Sequence, residues 1–243
     1  MVDVDTPLGE RHVNMSNALT RAAHGLSLAE KRLIAACIAQ CDSVPADEAR
    51  RKGALTTRLH ALDYARMFEV SPDTAYNQLQ EAGDHLFNRY ITTIEEGRRG
   101  PQHYKFRWVG SARYHKGEGW IELQWWHEVV PHLLGLRKQF TSYKLKQAAA
   151  FRSIYTWRLF ECMQSWKDKG RWAPTIEEFH QAMDSPESFR KDFKGLRSRV
   201  IEPALKELAQ KGEWVIDYTP RKAGRKVVGL EFVWRKNPQR ALL

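Results

Sequence analysis

The stretch "SPESFRKDFKGLRSRV", residues 185–200, decides how this chain is read. Phe189, Phe193, Leu196 and Val200 recur at helical spacing and form one apolar stripe. On the helical wheel Lys191, Lys194, Gly195 and Ser198 lie opposite, Arg190 and Arg197 stand on the flank, and Arg199 is nearer the buried side. Ser185 is placed to cap the helix and Pro186 stands at its first position, where a missing N–H costs nothing. The same device occurs earlier as "SPDTAYNQLQEAGDHLF", residues 71–87. Setting Ser71 on Ser185 places Leu79 on Phe193, Ala82 on Leu196 and Leu86 on Val200. The outward face of the earlier copy carries Asn77, Gln80, Glu81 and Asp84, with no Lys or Arg before Arg89. One helical device is thus used twice, and only the second copy is basic.

The flanks of the two copies match in order. Ahead of the first, "LSLAEKRLIAACIAQC" opens with a capping box of Ser27 and Glu30, followed by a charged loop at 42–54. "LTTRL" then reads as a short strand and "HALDYARMF" as a helix. After the first copy come "YITTIEE", the turn "GRRGPQ", "HYKFRWV" and "WIELQW", the last two alternating apolar and polar. Ahead of the second copy, "SYKLKQAAAFRSIYTWRLFECMQSW" reads as a helix or a pair of helices and "RWAPT" as a short strand. Thr175 and Glu178 form another capping box, opening "IEEFHQAM". After it, "EWVIDYT" and "KVVGLEFVW" alternate around the basic tip "PRKAGRK". Helix, turn, helix, then a hairpin with a basic loop is a winged helix. The repeat predicts an α+β chain of two tandem winged-helix domains, over residues 14–138 and 139–236. Three local expectations follow: a helix over Asn14–Ala23, a connection over 131–140, and a break near Glu202. There Pro203 removes a helix bond and either kinks one helix or separates two.

Charge narrows the partner. The 243 residues include 39 Lys plus Arg against 29 Asp plus Glu, a net charge of +10. That balance suits a polyanion, and nucleic acid is the commonest one. No stretch approaches about 18 apolar residues, so no membrane span is expected. The beginning "MVDVDTPLGERHV" has no apolar core of a signal peptide. Three cysteines without framework spacing point to reduced thiols and a cytoplasmic location. Cys37 and Cys41, four apart on a helix beside Ile34 and Ile38, read as core. There is no G-x-x-x-x-G-K-[ST], H-E-x-x-H, C-x-x-C or His-x-His. No metal, cofactor or catalytic role is therefore expected.

A helix that follows a short turn from another capped helix is the one that enters a major groove. In that reading Arg190, Lys191, Lys194, Arg197, Ser198 and Arg199 are the candidate DNA contacts of the second copy. Arg forks onto guanine O6 and N7, whereas Lys offers a less directional charge. Gly195, on the outer face, would let the backbone lie close to DNA. The wing loop adds Arg221, Lys222, Arg225 and Lys226. In the first copy Asn77 can still address a base, and a wing with Arg98, Arg99, Lys105 and Arg107 keeps the charge.

These residues resemble the replication initiator (Rep) proteins of theta-replicating iteron plasmids. The resemblance is carried by "LSLAEKRLIAACI", "AYNQLQEAGDHLFNRYI", "WVGSARYHKGEGWIEL", "FTSYKLKQAAAFRSIYTWRLFE", "FRKDFKGLRSRVIEPALKEL" and "GRKVVGLEF", across nearly all of residues 14–235. The most specific combination is "FTSYKL", then "S-x-Y-x-x-R-L", then "RVIEPALKEL". The resemblance implies two winged-helix domains, the second supplying the main recognition helix for repeated iterons in double-stranded origin DNA. It implies a homodimer joined through the first domain that represses its own promoter. It also implies recruitment of the host replication initiator and replicative helicase. A winged-helix transcription regulator without a replication role is the alternative reading.

Overall fold

The computed structural model describes residues 6–41, 55–115, 117–136, 138–212 and 214–237; the charged loop at 42–54 lies outside them. The chain divides into two compact units, Met1–Leu19 with His24–Ala150, and Thr20–Ala23 with Phe151–Leu243. The division therefore falls at Ala150–Phe151 rather than after residue 138. Strand pairing explains the shift. His12–Ser16 (β1) pairs antiparallel with Phe140–Lys144 (β7), which ties the latter segment to the first unit. The expected helix over Asn14–Ala23 is accordingly shorter: α1 spans Asn17–Arg21. Val13 and Met15 alternate into the core at zero exposure, a period of two that takes precedence over helix here.

The first unit continues with α2 (Leu28–Cys41), β2 (Thr56–His60), α3 (Ala61–Phe68) and α4 (Pro72–Leu86). Both predicted caps form. Ser27 and Glu30 exchange bonds of 3.3 and 2.5 Å between side chain and backbone. Ser71 accepts from the Thr74 N–H at 3.2 Å, with Pro72 opening α4. Ala75, Leu79, Ala82 and Leu86 are buried, as their spacing requires. Gly83 sits among them because a Cβ there would come within 2.5 Å of Ile121 Cδ1. Then follow β3 (Tyr90–Gly97), β4 (Gly100–Arg107), β5 (Val109–His115) and β6 (Trp120–Trp125).

The sheet of this unit runs β2-β6-β5, while β3 and β4 pair only with each other. The winged-helix hairpin is thus β5–β6. The basic hairpin expected to be the wing is a separate ribbon inserted between α4 and the sheet. "HYKFRWV" crosses from β4 to β5 at Trp108, which is fully buried and meets His24 edge-on at 5.0 Å. Its carbonyl accepts from the Trp126 N–H at 3.0 Å. Anchoring that one ring in the core turns one apparent strand into two.

After α5 (Lys146–Ala149) closes the first unit, the second contains α6 (Ile154–Ser165), β8 (Arg171–Trp172), α7 (Ile176–Met183), α8 (Phe193–Leu196), α9 (Glu202–Lys211), β9 (Trp214–Ala223) and β10 (Lys226–Lys236). Its sheet runs β8-β10-β9, the same first-last-middle order as β2-β6-β5. Thr175 and Glu178 make the predicted capping box. Trp172, Phe179 and Tyr218 each stack on Phe232 within 6.0 Å, clamping the sheet to α7. Fully buried rings such as Phe179 and Phe232 contribute about 1.5–3 kcal/mol each. The "S-x-Y-x-x-R-L" run is structural: Ser153 caps α6, and Leu159 is core. Arg158, 3% exposed, donates to the carbonyl of Ala22 at 2.6 Å and to that of Ala182. Two tandem winged helices therefore make up the chain.

Candidate nucleic-acid interface

The basic helix begins later than its sequence suggests. Ser185 is drawn into a 2.6 Å hydrogen bond with His180 Nδ1 instead of capping. Glu187–Arg190 forms a 3-10 turn, and Asp192 caps the helix by accepting from the Gly195 N–H at 2.9 Å. Gly195 is buried rather than outward. A Cβ at that position would run into the Asp192 carboxylate, so the glycine makes room for the cap. Arg190 and Lys191 consequently precede the helix, whereas Lys194, Arg197 and Ser198 project from it, all three exposed.

From Arg197 to Ile201 the helix widens into a π turn, and the Glu202 N–H bonds the Arg197 carbonyl. Pro203 stands directly after it. Having no N–H, it cannot bond the carbonyl four residues back, and the wide turn absorbs that defect without ending the run. Phe189, Leu196, Val200, Ile201, Ala204 and Leu208 keep the inner face buried through all three geometries.

The exposed cations differ in how they are held. Arg190 Nε pairs with Glu187 at 2.7 Å, and Arg197 Nε with Glu202 at 3.3 Å. Arg199 lies over the Phe189 ring at 5.8 Å, in keeping with its position nearer the buried side. Ser198 Oγ is 3.4 Å from the Gly195 carbonyl. Among the described residues Lys191 and Lys194 have no acidic partner. Glu187, Asp192 and Glu202 shape this cluster and went unnoticed in sequence. Their i, i+3 and i, i+5 spacing from the basic residues is the only signal.

In the hairpin, Lys222, Arg225 and Lys226 are exposed around Gly224, whose φ of +61° makes the turn. Arg221 behaves otherwise. Its Nη2 donates to the carbonyls of Ala173 at 3.2 Å and Pro174 at 2.8 Å, fastening β9 to the segment ahead of α7. His180 is held below its ordinary value by burial and by the nearby Arg190 charge, against the opposing pull of Glu177 and Glu187.

In the first unit Asn77 is exposed on α4 beside Gln80, Glu81 and Asp84. Arg89 is engaged by the buried Glu30 at 2.9 Å. Arg98 and Arg99 are exposed at the ribbon tip. Lys105 Nζ sits 4.2 Å from the Tyr90 ring centroid. Arg107 donates to the Phe87 carbonyl at 2.8 Å and lies over the Phe87 and Tyr90 rings, holding the ribbon to the end of α4. Among the described residues, Arg98 and Arg99 make no such contact.

Among the described residues no three His, Cys, Asp or Glu side chains are grouped to hold a metal ion, and no helix is long and apolar enough to cross a membrane.

Comparison with known proteins bears on both units. The model of a family described as "Initiator Replication protein, WH1" matches residues 12–164, and "Initiator Rep protein, WH2" matches residues 175–234. An "Uncharacterized 27.6 kDa protein" of Escherichia coli is 29% identical over 219 residues, covering 88% of this chain and 91% of that protein. A "Replication initiation protein" of Escherichia coli is 26% identical over 206 residues, covering 83% of this chain and 63% of that one. The crystal structure of Pi initiator protein in complex with iteron DNA matches 95% of this chain and 99% of its own at a TM-score of 0.75 and 19% identity. That last likeness is one of fold.

Proposed function

The chain belongs to the initiator replication protein family, matched in both winged-helix halves, and from that premise we propose that it binds repeated sites in double-stranded origin DNA and starts plasmid replication there. The observation that carries this reading is the second unit's capped basic helix, with exposed Lys194 and Arg197, followed directly by a hairpin whose tip carries exposed Lys222, Arg225 and Lys226. In a winged helix these two elements address one duplex, the helix in the major groove and the hairpin on the backbone. The Pi initiator fold, solved on iteron DNA, supports the same use of this architecture.

In this reading Arg190, Lys191, Lys194, Arg197 and Ser198 meet bases and adjacent phosphates at the helix start. Lys222, Arg225 and Lys226 hold phosphates. The first unit supplies self-association, with auxiliary backbone contact through Arg98 and Arg99. As a homodimer the protein represses its own promoter; bound at the origin it helps open the duplex and recruits the host initiator and helicase.

Fluorescence titration of the full chain on duplexes carrying the origin repeats, against scrambled duplexes at physiological salt, tests the reading. Equal affinity for both removes it. Arg197→Ala weakens repeat binding by about 1–3 kcal/mol and relaxes specificity, as loss of a base contact does. Lys222→Ala weakens both duplexes alike and lowers the salt slope by about one unit.

A further inference from the structure

A cavity of about 550 Å³ opens in the second unit, lined by Arg21, Trp166, Lys169, Arg171, Glu178 and Gln181 among others. Its size is that of small-molecule sites, which run from about 300 to 1,000 Å³. None of its lining residues belongs to the basic helix or the wing tip.

Its charges are unbalanced. The Arg21 guanidinium lies 4.9 Å from the Trp166 ring centroid, and Lys169 Nζ lies 4.7 Å from it. Arg21 Nη2 donates to Ser165 Oγ at 3.3 Å, but Arg21 Nε and Trp166 Nε1 find no acceptor among the described residues. The other two charges are already committed. Arg171 pairs with Glu231 at 2.9 Å, and Glu178 is bound into its capping box with Thr175 at 2.7 Å. Two cations therefore share one indole, and among the described residues neither has an ion-pair partner. Burial holds Arg21 below its ordinary value, against the opposing pull of Cys162 and of Glu178, which lines the same cavity. An anion seated there offers acceptors to the Arg21 and Trp166 donors that have none among the described residues.

The wing tip lies at the other end of the sheet. β8 pairs with β10 at Phe232 and Val233, whereas the hairpin closes at Lys226 and Ala223. Phe232 stands six residues of strand from the turn, about 20 Å, while Ala173 and Pro174 of the lining reach nearer to it, their carbonyls accepting from Arg221 of the hairpin.

We propose that the cavity binds a small phosphate-bearing ligand with at least two negative charges, held by Arg21 and Lys169 over Trp166. The full chain is titrated with inorganic pyrophosphate and with ATP at constant ionic strength, following tryptophan fluorescence and melting temperature. The expected result is saturable quenching and a raised melting temperature. Lys169→Gln and Arg21→Gln each weaken binding at least tenfold. Lys169 is exposed, so its substitution leaves the fold intact. A response equal to that of sodium chloride, or one that neither substitution alters, overturns the proposal. So does a loss of affinity for repeat and scrambled duplex alike in Lys169→Gln without any pyrophosphate response, which assigns the cavity to a DNA phosphate.

Discussion

Arg190 and Arg197 meet any ligand already paired, with Glu187 at 2.7 Å and Glu202 at 3.3 Å. Exposed ion pairs of this kind are worth about 0–1 kcal/mol, so each is easily exchanged for a well-fitted guanine or phosphate. They matter more for poor sites, where little is gained in exchange. Glu202→Gln is therefore expected to raise affinity for scrambled duplex up to about fivefold while changing repeat affinity less, so that the measured specificity ratio falls. A second residue-scale effect concerns pH. His180 is buried, bonded to Ser185 and held below its ordinary value of 6.5, so the folded unit favours the neutral ring. The unfolded chain takes up the proton first, and the stability that His180 contributes is present above about pH 6.5 and lost as pH falls below it. Denaturant midpoints from pH 7.5 to pH 5 should decline in the natural chain and flatten in His180→Gln. None of this pairing was legible in sequence. Glu187 and Glu202 read as ordinary surface acids, and Ser185 read as a cap because its competing partner, His180, lies in another element.

At the scale of elements, the basic segment is one run assembled from a 3-10 turn, a capped α-helical turn, a π turn and a terminal α-helix. Pro203 is the reason for the π turn: the lost bond is accommodated by widening, which also sets the direction of Lys194 and Arg197 relative to the packed half. Pro203→Ala removes the need for that turn. The expected outcome is a melting temperature equal to or higher than that of the natural chain, because the Ala N–H restores a backbone bond that Pro203 cannot make. Repeat affinity falls at the same time because the basic half is re-aimed, and the two readouts are made on one preparation by thermal melting and duplex titration. The apolar stripe of this run was readable, since Phe189, Leu196 and Val200 recur at helical spacing and are all buried. Its geometry was not, because backbone bonding alternatives of nearly equal energy leave no mark on periodicity. The first unit teaches the same lesson with strands. "HYKFRWV" alternates without interruption, yet the burial of Trp108 divides it between two sheets.

For the whole molecule, two units repeat one topology, with sheets ordered β2-β6-β5 and β8-β10-β9, and differ in the charge of the third helix. If the second unit reads repeats and the first serves self-association, a plasmid lacking this gene fails to replicate and is rescued when the chain is supplied in trans. Rescue should be lost with Arg197→Ala combined with Lys194→Ala, scored as transformants. A chain acting only as a transcription regulator leaves replication intact on deletion. Capping boxes, apolar stripes and strand alternation by themselves pointed to two winged helices, one of them basic. Those signals are local, residues three or four apart bonding or burying together, so they survive in a linear reading. What only the tertiary structure decided is long-range. β1 was claimed by β7 across more than a hundred residues, Arg221 by two carbonyls of another segment, and Arg158 by Ala22 and Ala182. Strand partners and buried polar groups are chosen by which donors and acceptors the packed core leaves unmet. That choice exists only once the chain has closed on itself.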